Sequence, residues 1–135
     1  MTRRARAARS ERLLPLAFFA ALACIAPRAR AELPQLAPHE AAAHVGEHAA
    51  VCGVVDEASY RADVNGQPTF MNFGGRHPRQ QFTALVWGEH RARFSPPPER
   101  HAGQRLCVVG RITSFRGKPQ IVVDSPAQLE RGMSP

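Results

Sequence analysis

The chain has little of what catalysis or membrane residence demands. It holds no Asp-x-Asp pair, no phosphate-cradling glycine loop and no strand-turn-helix nucleophile elbow. Its longest apolar run, Leu13 to Ala26, is short for a membrane span. Cysteine is scarce, at three residues, so there is no cysteine cluster to build a zinc site. The stretch from Glu89 to Gly103, which carries Pro96, Pro97 and Pro98, has no long amphipathic pattern, which argues against a large helix there.

What is present begins with a leader. Residues 1–31 have a basic head (Arg3, Arg4, Arg6, Arg9, Arg12), the apolar run, and Ala29 and Ala31 at Ala-x-Ala spacing before Glu32. This is the pattern of a secretory signal peptide, and it predicts an exported product, periplasmic or extracellular, with no integral membrane segment in the mature chain. An uncleaved anchor, or a lipoprotein through Cys24, are the alternatives. The leader also accounts for the charge. The full chain has 18 basic and 11 acidic residues, formally +7. Residues 1–31 contain seven arginines and one glutamate, which leaves 11 basic and 10 acidic residues, +1, for residues 32–135. Charge alone therefore does not argue for nucleic acid.

Export leaves two cysteines, Cys52 and Cys107, and an even count in an oxidising compartment predicts a disulfide. Closing a loop of that length is worth about 4–5 kcal/mol in the chain-entropy model. The two cysteines sit in matching segments, AAVCGVVDEASYR from Ala49 and QRLCVVGRITSF from Gln104, and both read as strands. Residues 32–48 are a lead-in, with two prolines in ELPQLAP and a helical turn or two over HEAAAHVGEH. Strand one runs from about Ala49 to Glu57, with Gly53 marking a bulge, a bend or a close approach. Asn65-Gly66 is a turn signal. Strand two is Thr69–Phe73, strand three Gln81–Trp87, strand four Gln104–Phe115 and strand five Pro119–Val123, with residues 127–135 as a tail that Leu129 alone anchors. The fold class expected is all-β: a five-stranded Greek-key barrel of the oligonucleotide/oligosaccharide-binding (OB) type over residues 49–126, its first and fourth strands joined by Cys52–Cys107. Another small β-roll or an SH3-like barrel is the alternative.

Four stretches carry a resemblance: VCGVV at 51–55, GQPTFMNFG at 66–74, FTALVWGEHRARF at 82–94 and LCVVGRITSFRGKPQIVV at 106–123. On these the chain resembles a family of small secreted OB-fold domains described as nucleic-acid-binding-like, over about residues 45–130. The resemblance implies the barrel. Its motifs are glycines, prolines and cysteines that fix turns and closure, and they specify no ligand.

OB barrels bind single strands on the outer face of strands two and three, where bases stack on aromatics and cations follow the phosphates. Tyr60, Phe73 and Trp87 are the stacking candidates. Arg61, Arg76, Arg79, Arg91, Arg93, Arg116 and Lys118 are the phosphate partners. Phe70 and Phe82 read as core. The expected function is a non-catalytic binding module for single-stranded DNA or RNA, binding weakly, with a protein- or glycan-binding module of the cell envelope as the alternative. No cofactor and no metal are expected. A metal-binding or hydrolytic domain is the remaining alternative. For it, His44 and His48 stand at i, i+4 in HVGEH but with Gly46 between them, and Asp56-Glu57 is the one adjacent acidic pair. Neighbours on a strand point to opposite sides, so that pair suits a metal poorly.

Overall fold

A computed structural model describes residues 33–132, together with residues 12, 14–18, 20, 21 and 23. The arginines at 3, 4, 6 and 9, Cys24, Ala29, Ala31 and Glu32 lie outside the described residues, as do residues 133–135. The chain divides into two units, Met1–Arg30 and Ala31–Pro135, and the fold below is that of the second. No helix among the described residues is long and apolar enough to cross a membrane.

The unit is mostly β. Its strands are β1 (Gln35–Leu36), β2 (His48–Tyr60), β3 (Thr69–Phe73), β4 (Phe82–Val86), β5 (Arg105–Arg111), β6 (Thr113–Phe115), β7 (Lys118–Val122) and β8 (Leu129–Arg131). One helical turn, α1 (Gly88–Arg91), and three short 3-10 turns, Pro38–His44, Pro98–His101 and Pro126–Gln128, complete it. Their prolines stand in the first turn, where a missing N–H costs nothing.

The 13-residue β2 is the spine. Its first half, His48 to Val54, pairs antiparallel with β5, and Cys52 lies directly opposite Cys107. Its second half, Val55 to Tyr60, pairs antiparallel with β3. Within the β2–β3 ladder the register shifts by a residue between Val55 and Glu57, so the bulge falls at Asp56 rather than at Gly53. Gly53 answers to the other reading of such a glycine. A Cβ there would come within 2.8 Å of the Pro38 ring, so the lead-in segment packs on bare backbone. The disulfide joins the two cysteines as expected.

Alternation places the core. Ala49, Val51 and Val55 of β2, Met71 and Phe73 of β3, Phe82, Ala84 and Val86 of β4, and Leu106 and Val108 of β5 are buried on one side with Ile112, Ile121 and Val123. Phe73 and Phe82 meet there with ring centroids 5.5 Å apart. Phe94 is buried and anchors the turn that follows β4, as its position suggested.

A closed cylinder of five strands does not form. The sheet has eight strands and its ladder is open, running β6-β7-β4-β3-β2-β5-β8 with β1 parallel to β2. Two features explain the difference. The expected fourth strand breaks at Ile112, whose N–H bonds the carbonyl of Glu47, so its first half stays with β2 and its second half turns to β7. The tail, read as unstructured past Leu129, instead forms β8 and takes the outer edge of β5 at Leu106–Val108. That is an edge which a closed ladder would need. Where β5 and β7 part, the Gln128 amide spans them, donating to the carbonyls of Val109 (3.0 Å) and Val122 (3.2 Å). The lead-in carries a short helical turn, of the 3-10 kind. The 3-10 turn ends at His44 and β2 begins at His48, so the two histidines occupy different elements and share no helical face.

Reducing the disulfide frees a loop with ends 55 residues apart in sequence. The expected loss is about 4 kcal/mol of unfolding free energy. Urea unfolding with and without reductant measures it, and an unchanged midpoint would contradict the staple's role.

Candidate functional site

The outward side of β3, β4 and β7 carries a cleft of about 540 Å³. Strand alternation builds it. In β3, Met71 and Phe73 go to the core, which turns Phe70 and Asn72 outward; in β4, Phe82 and Ala84 go inward and Thr83 outward. Register sets Asn72 opposite Thr83 and Thr83 beside Gln120 of β7. The β6–β7 hairpin raises one wall with Phe115, Arg116, Lys118 and Pro119; Glu57, Ser59 and Arg61 of the β2 end form the other, with Val64, His77 and Gln80 at the rim.

A hydrogen-bonded chain crosses the floor. The Thr83 hydroxyl donates to the Asn72 amide oxygen (2.9 Å), and the Asn72 nitrogen donates to the Glu57 carboxylate (3.1 Å). The same Glu57 oxygen accepts the backbone N–H of His77 (2.8 Å). Asn72 and Thr83 are buried polar groups, and mutual bonding is what makes that burial affordable. The Asp56 carboxylate next door accepts the N–H of Gly75 (2.8 Å). Adjacent acids on a regular strand would diverge. The bulge at Asp56 is the reason both reach one loop, residues 74–77, and they position it.

Glu57's carboxyl is held below the ordinary carboxylate range, first by the His77 N–H, then by the Asn72 amide, with a smaller attraction from Arg76. Glu99 is lowered likewise, chiefly by its hydrogen bonds with Arg91.

The sequence-derived candidates do not converge on this cleft. Phe73, expected to stack on a ligand, is fully buried against Phe82. It follows the inward alternation of Met71. Tyr60 is partly exposed, but the Arg91 guanidinium covers its ring at 3.7 Å. Arg91 is itself consumed by Glu99 (2.5 and 2.6 Å) and Thr69 (3.1 Å), so it is a structural cation. Arg93 donates to the carbonyl of Asp124 at 2.9 Å. Arg76 and Arg79 are exposed on the β3–β4 loop outside the cleft's lining, Arg76 3.7 Å from Glu57. Arg61, Arg116 and Lys118 do line the cleft. Arg61 grips Asp63 through two bonds (3.0 and 2.9 Å), Lys118 holds the carbonyls of Pro78 and Gln80, and Arg116 lies 5.2 Å over the Phe115 ring.

Trp87 belongs elsewhere. It follows β4 and lies across the Asn65-Gly66 turn, where a Cβ on Gly66 would approach the indole to 2.9 Å. With 37% of its surface exposed, it edges a shallow groove of about 690 Å³ shared with Asp63, Asn65, Gln67 and Glu89.

Sequence reasoning missed Phe70, read as core but half-buried in the cleft, and Phe115, which is 58% exposed. Alternation in TFMNF already paired Phe70 with Asn72 on one face, so that signal was present. Phe115 sits on a hairpin that the single-strand reading of residues 104–115 concealed. Among the described residues no three His, Cys, Asp or Glu side chains gather to hold a metal ion. No protein-family model, no curated protein and no solved structure matches the chain.

A lowered carboxyl value in the fold means stability present above the unfolded value near 4.5 and lost as pH falls through the folded one. Acid should therefore weaken the protein below about pH 4.5, with Glu57 and Glu99 acting together. Urea midpoints across the acid range should fall less steeply in Glu57→Gln than in the parent; identical slopes would show that Glu57 is not a contributor.

Proposed function

We propose that the chain is an exported, non-catalytic binding module of the OB type, and that the cleft over β3, β4 and β7 takes single-stranded nucleic acid weakly. The observation that carries the reading is the composition of that cleft. Two phenyl faces, Phe70 and Phe115, stand with Arg116, Lys118 and Arg61 around a floor of hydrogen-bonding groups. Aromatic faces suit bases and the cations suit phosphates. The strand connectivity supports the OB assignment. β2 pairs with β5, and β7 runs parallel beside β4, as the OB order requires, and such barrels are commonly only partly open cylinders. The disulfide supports export. The acids support a non-catalytic role, because Asp56 and Glu57 spend their bonds on a loop and Glu57 is a weakened base.

Affinity should be modest. Most cations near the face are already paired, and residues 32–135 carry a formal charge of only +1. Phe115→Ala should weaken binding of a labelled single-stranded oligonucleotide by roughly 1–3 kcal/mol while leaving the melting temperature close to that of the parent. Fluorescence anisotropy at low and at raised salt tests this, and affinity independent of both Phe115 and salt would remove the reading.

A second reading has its own observation. The groove at Trp87 presents an indole beside Asp63 and Glu89, two amides and no lining cation, which suits a neutral polyol better than a phosphate chain. Trp87 emission should then respond to a soluble oligosaccharide and not to an oligonucleotide. Response to the oligonucleotide alone would discard the glycan reading.

A further inference from the structure

The floor of the cleft has a direction, because its hydrogen-bonded chain spends protons internally. Thr83 gives its hydroxyl proton to Asn72, and Asn72 gives an amide proton to Glu57. The chain ends on a carboxylate, which can only accept. One Glu57 oxygen takes both the Asn72 and the His77 bonds. The other faces Arg76 at 3.7 Å, beyond hydrogen-bond reach, and keeps its lone pairs. The Lys118 ammonium turns two of its protons to loop carbonyls. Glu57 is the one carboxylate in the lining, set among the cations Arg61, Arg116 and Lys118.

We propose that this cleft selects nucleobases that bear an exocyclic amine and disfavours uracil and thymine, with Glu57 as the specificity-determining residue. The inference rests on the nucleic-acid reading of the site. A base held against the phenyl faces turns its polar edge to the floor. Cytosine offers the N4 amine there, which satisfies a free carboxylate oxygen. Uracil offers the O4 carbonyl at the same position, which sets oxygen against a charged acceptor. A hydrogen bond to a charged group, set against a carbonyl oxygen facing a carboxylate, is enough for discrimination of about fivefold or more.

The test compares end-labelled deoxycytidine and deoxyuridine homo-oligomers of equal length by fluorescence anisotropy at low salt. The parent protein should bind the cytidine oligomer at least about fivefold more tightly. In Glu57→Gln the side-chain oxygen can still receive the His77 and Asn72 bonds, which turns an NH2 toward the ligand. The preference should then vanish or invert. Equal affinity of the parent for both oligomers would overturn the selectivity and leave the cleft as a nucleic-acid site. Binding of neither oligomer would overturn the site reading and the selectivity with it. Selectivity that survives in a folded Glu57→Gln protein would overturn the role of Glu57. Should that variant not fold, an oligomer of N4,N4-dimethylcytosine on the parent protein decides the matter. Its amine has no proton to give, so full affinity would contradict the proposal.

Discussion

One strand is asked to serve two partners, and the rest of the molecule follows from how it does so. β2 gives its first half to β5 and its second half to β3; the changeover falls between Val54 and Val55, and a bulge follows at Asp56. Val51 and Val55 keep their inward face by ordinary alternation, and the irregularity comes only after them. The extra residue at the bulge bends the strand and resets the register. It also turns two adjacent carboxylates toward a single loop, which regular geometry forbids. The Cys52–Cys107 bond sits in the middle of the first ladder, so it restrains the half of β2 that has the fewest bulky side chains, AAVCG. The second half is restrained by Phe73 and Met71 beneath it.

That division of labour positions the cleft. With β3 held against β2 by core residues on its inner face, its outer residues Phe70 and Asn72 have no freedom to exchange sides. The Asn72–Glu57 bond then ties the floor of the cleft to the same bulge. The loop at residues 74–77 hangs from Asp56 and Glu57, and Lys118 reaches the carbonyls of Pro78 and Gln80 just beyond it from the far strand. The walls of the cleft are thus cross-linked over the loop between β3 and β4. The floor of the site is part of the sheet, and its outermost aromatic, Phe115, sits at a hairpin tip.

Much of this was legible in the letters. Period-two alternation in TFMNF and FTALV gave β3 and the body of β4, and the paired cysteines gave the β2–β5 neighbourhood. The inward set Val51 and Val55 also followed from alternation. What was not legible depended on long-range competition. Nothing local in QRLCVVGRITSF says that Ile112 will hand the strand from one partner to another, because the cause is the Glu47 carbonyl waiting 65 residues earlier. Nothing local in AQLER says that it will pair with β5. The divergence expected of the acid pair assumed a regular strand there, and the bulge at Asp56 removes that assumption.

The ligand-face residues were the least legible. Arginines are interchangeable to a sequence reader, but in the fold Arg91 clamps Tyr60 and Glu99 while Arg116 stays with Phe115. Which cation is structural depends on the acceptor across from it, and those acceptors lie 2 to 31 residues away along the chain, at the Asp63 and Glu99 carboxylates and the Asp124 backbone carbonyl.

β2 acts as one unit across its bulge, and residue-resolved amide hydrogen exchange tests this most directly. The backbone amides of β2 on both sides of Asp56 should exchange together, at the slowest rate in the domain, along with their partners in β3 and β5. Fast exchange of residues 55–60 while residues 48–54 stay protected would show two independent halves, and the cleft would then have no fixed floor.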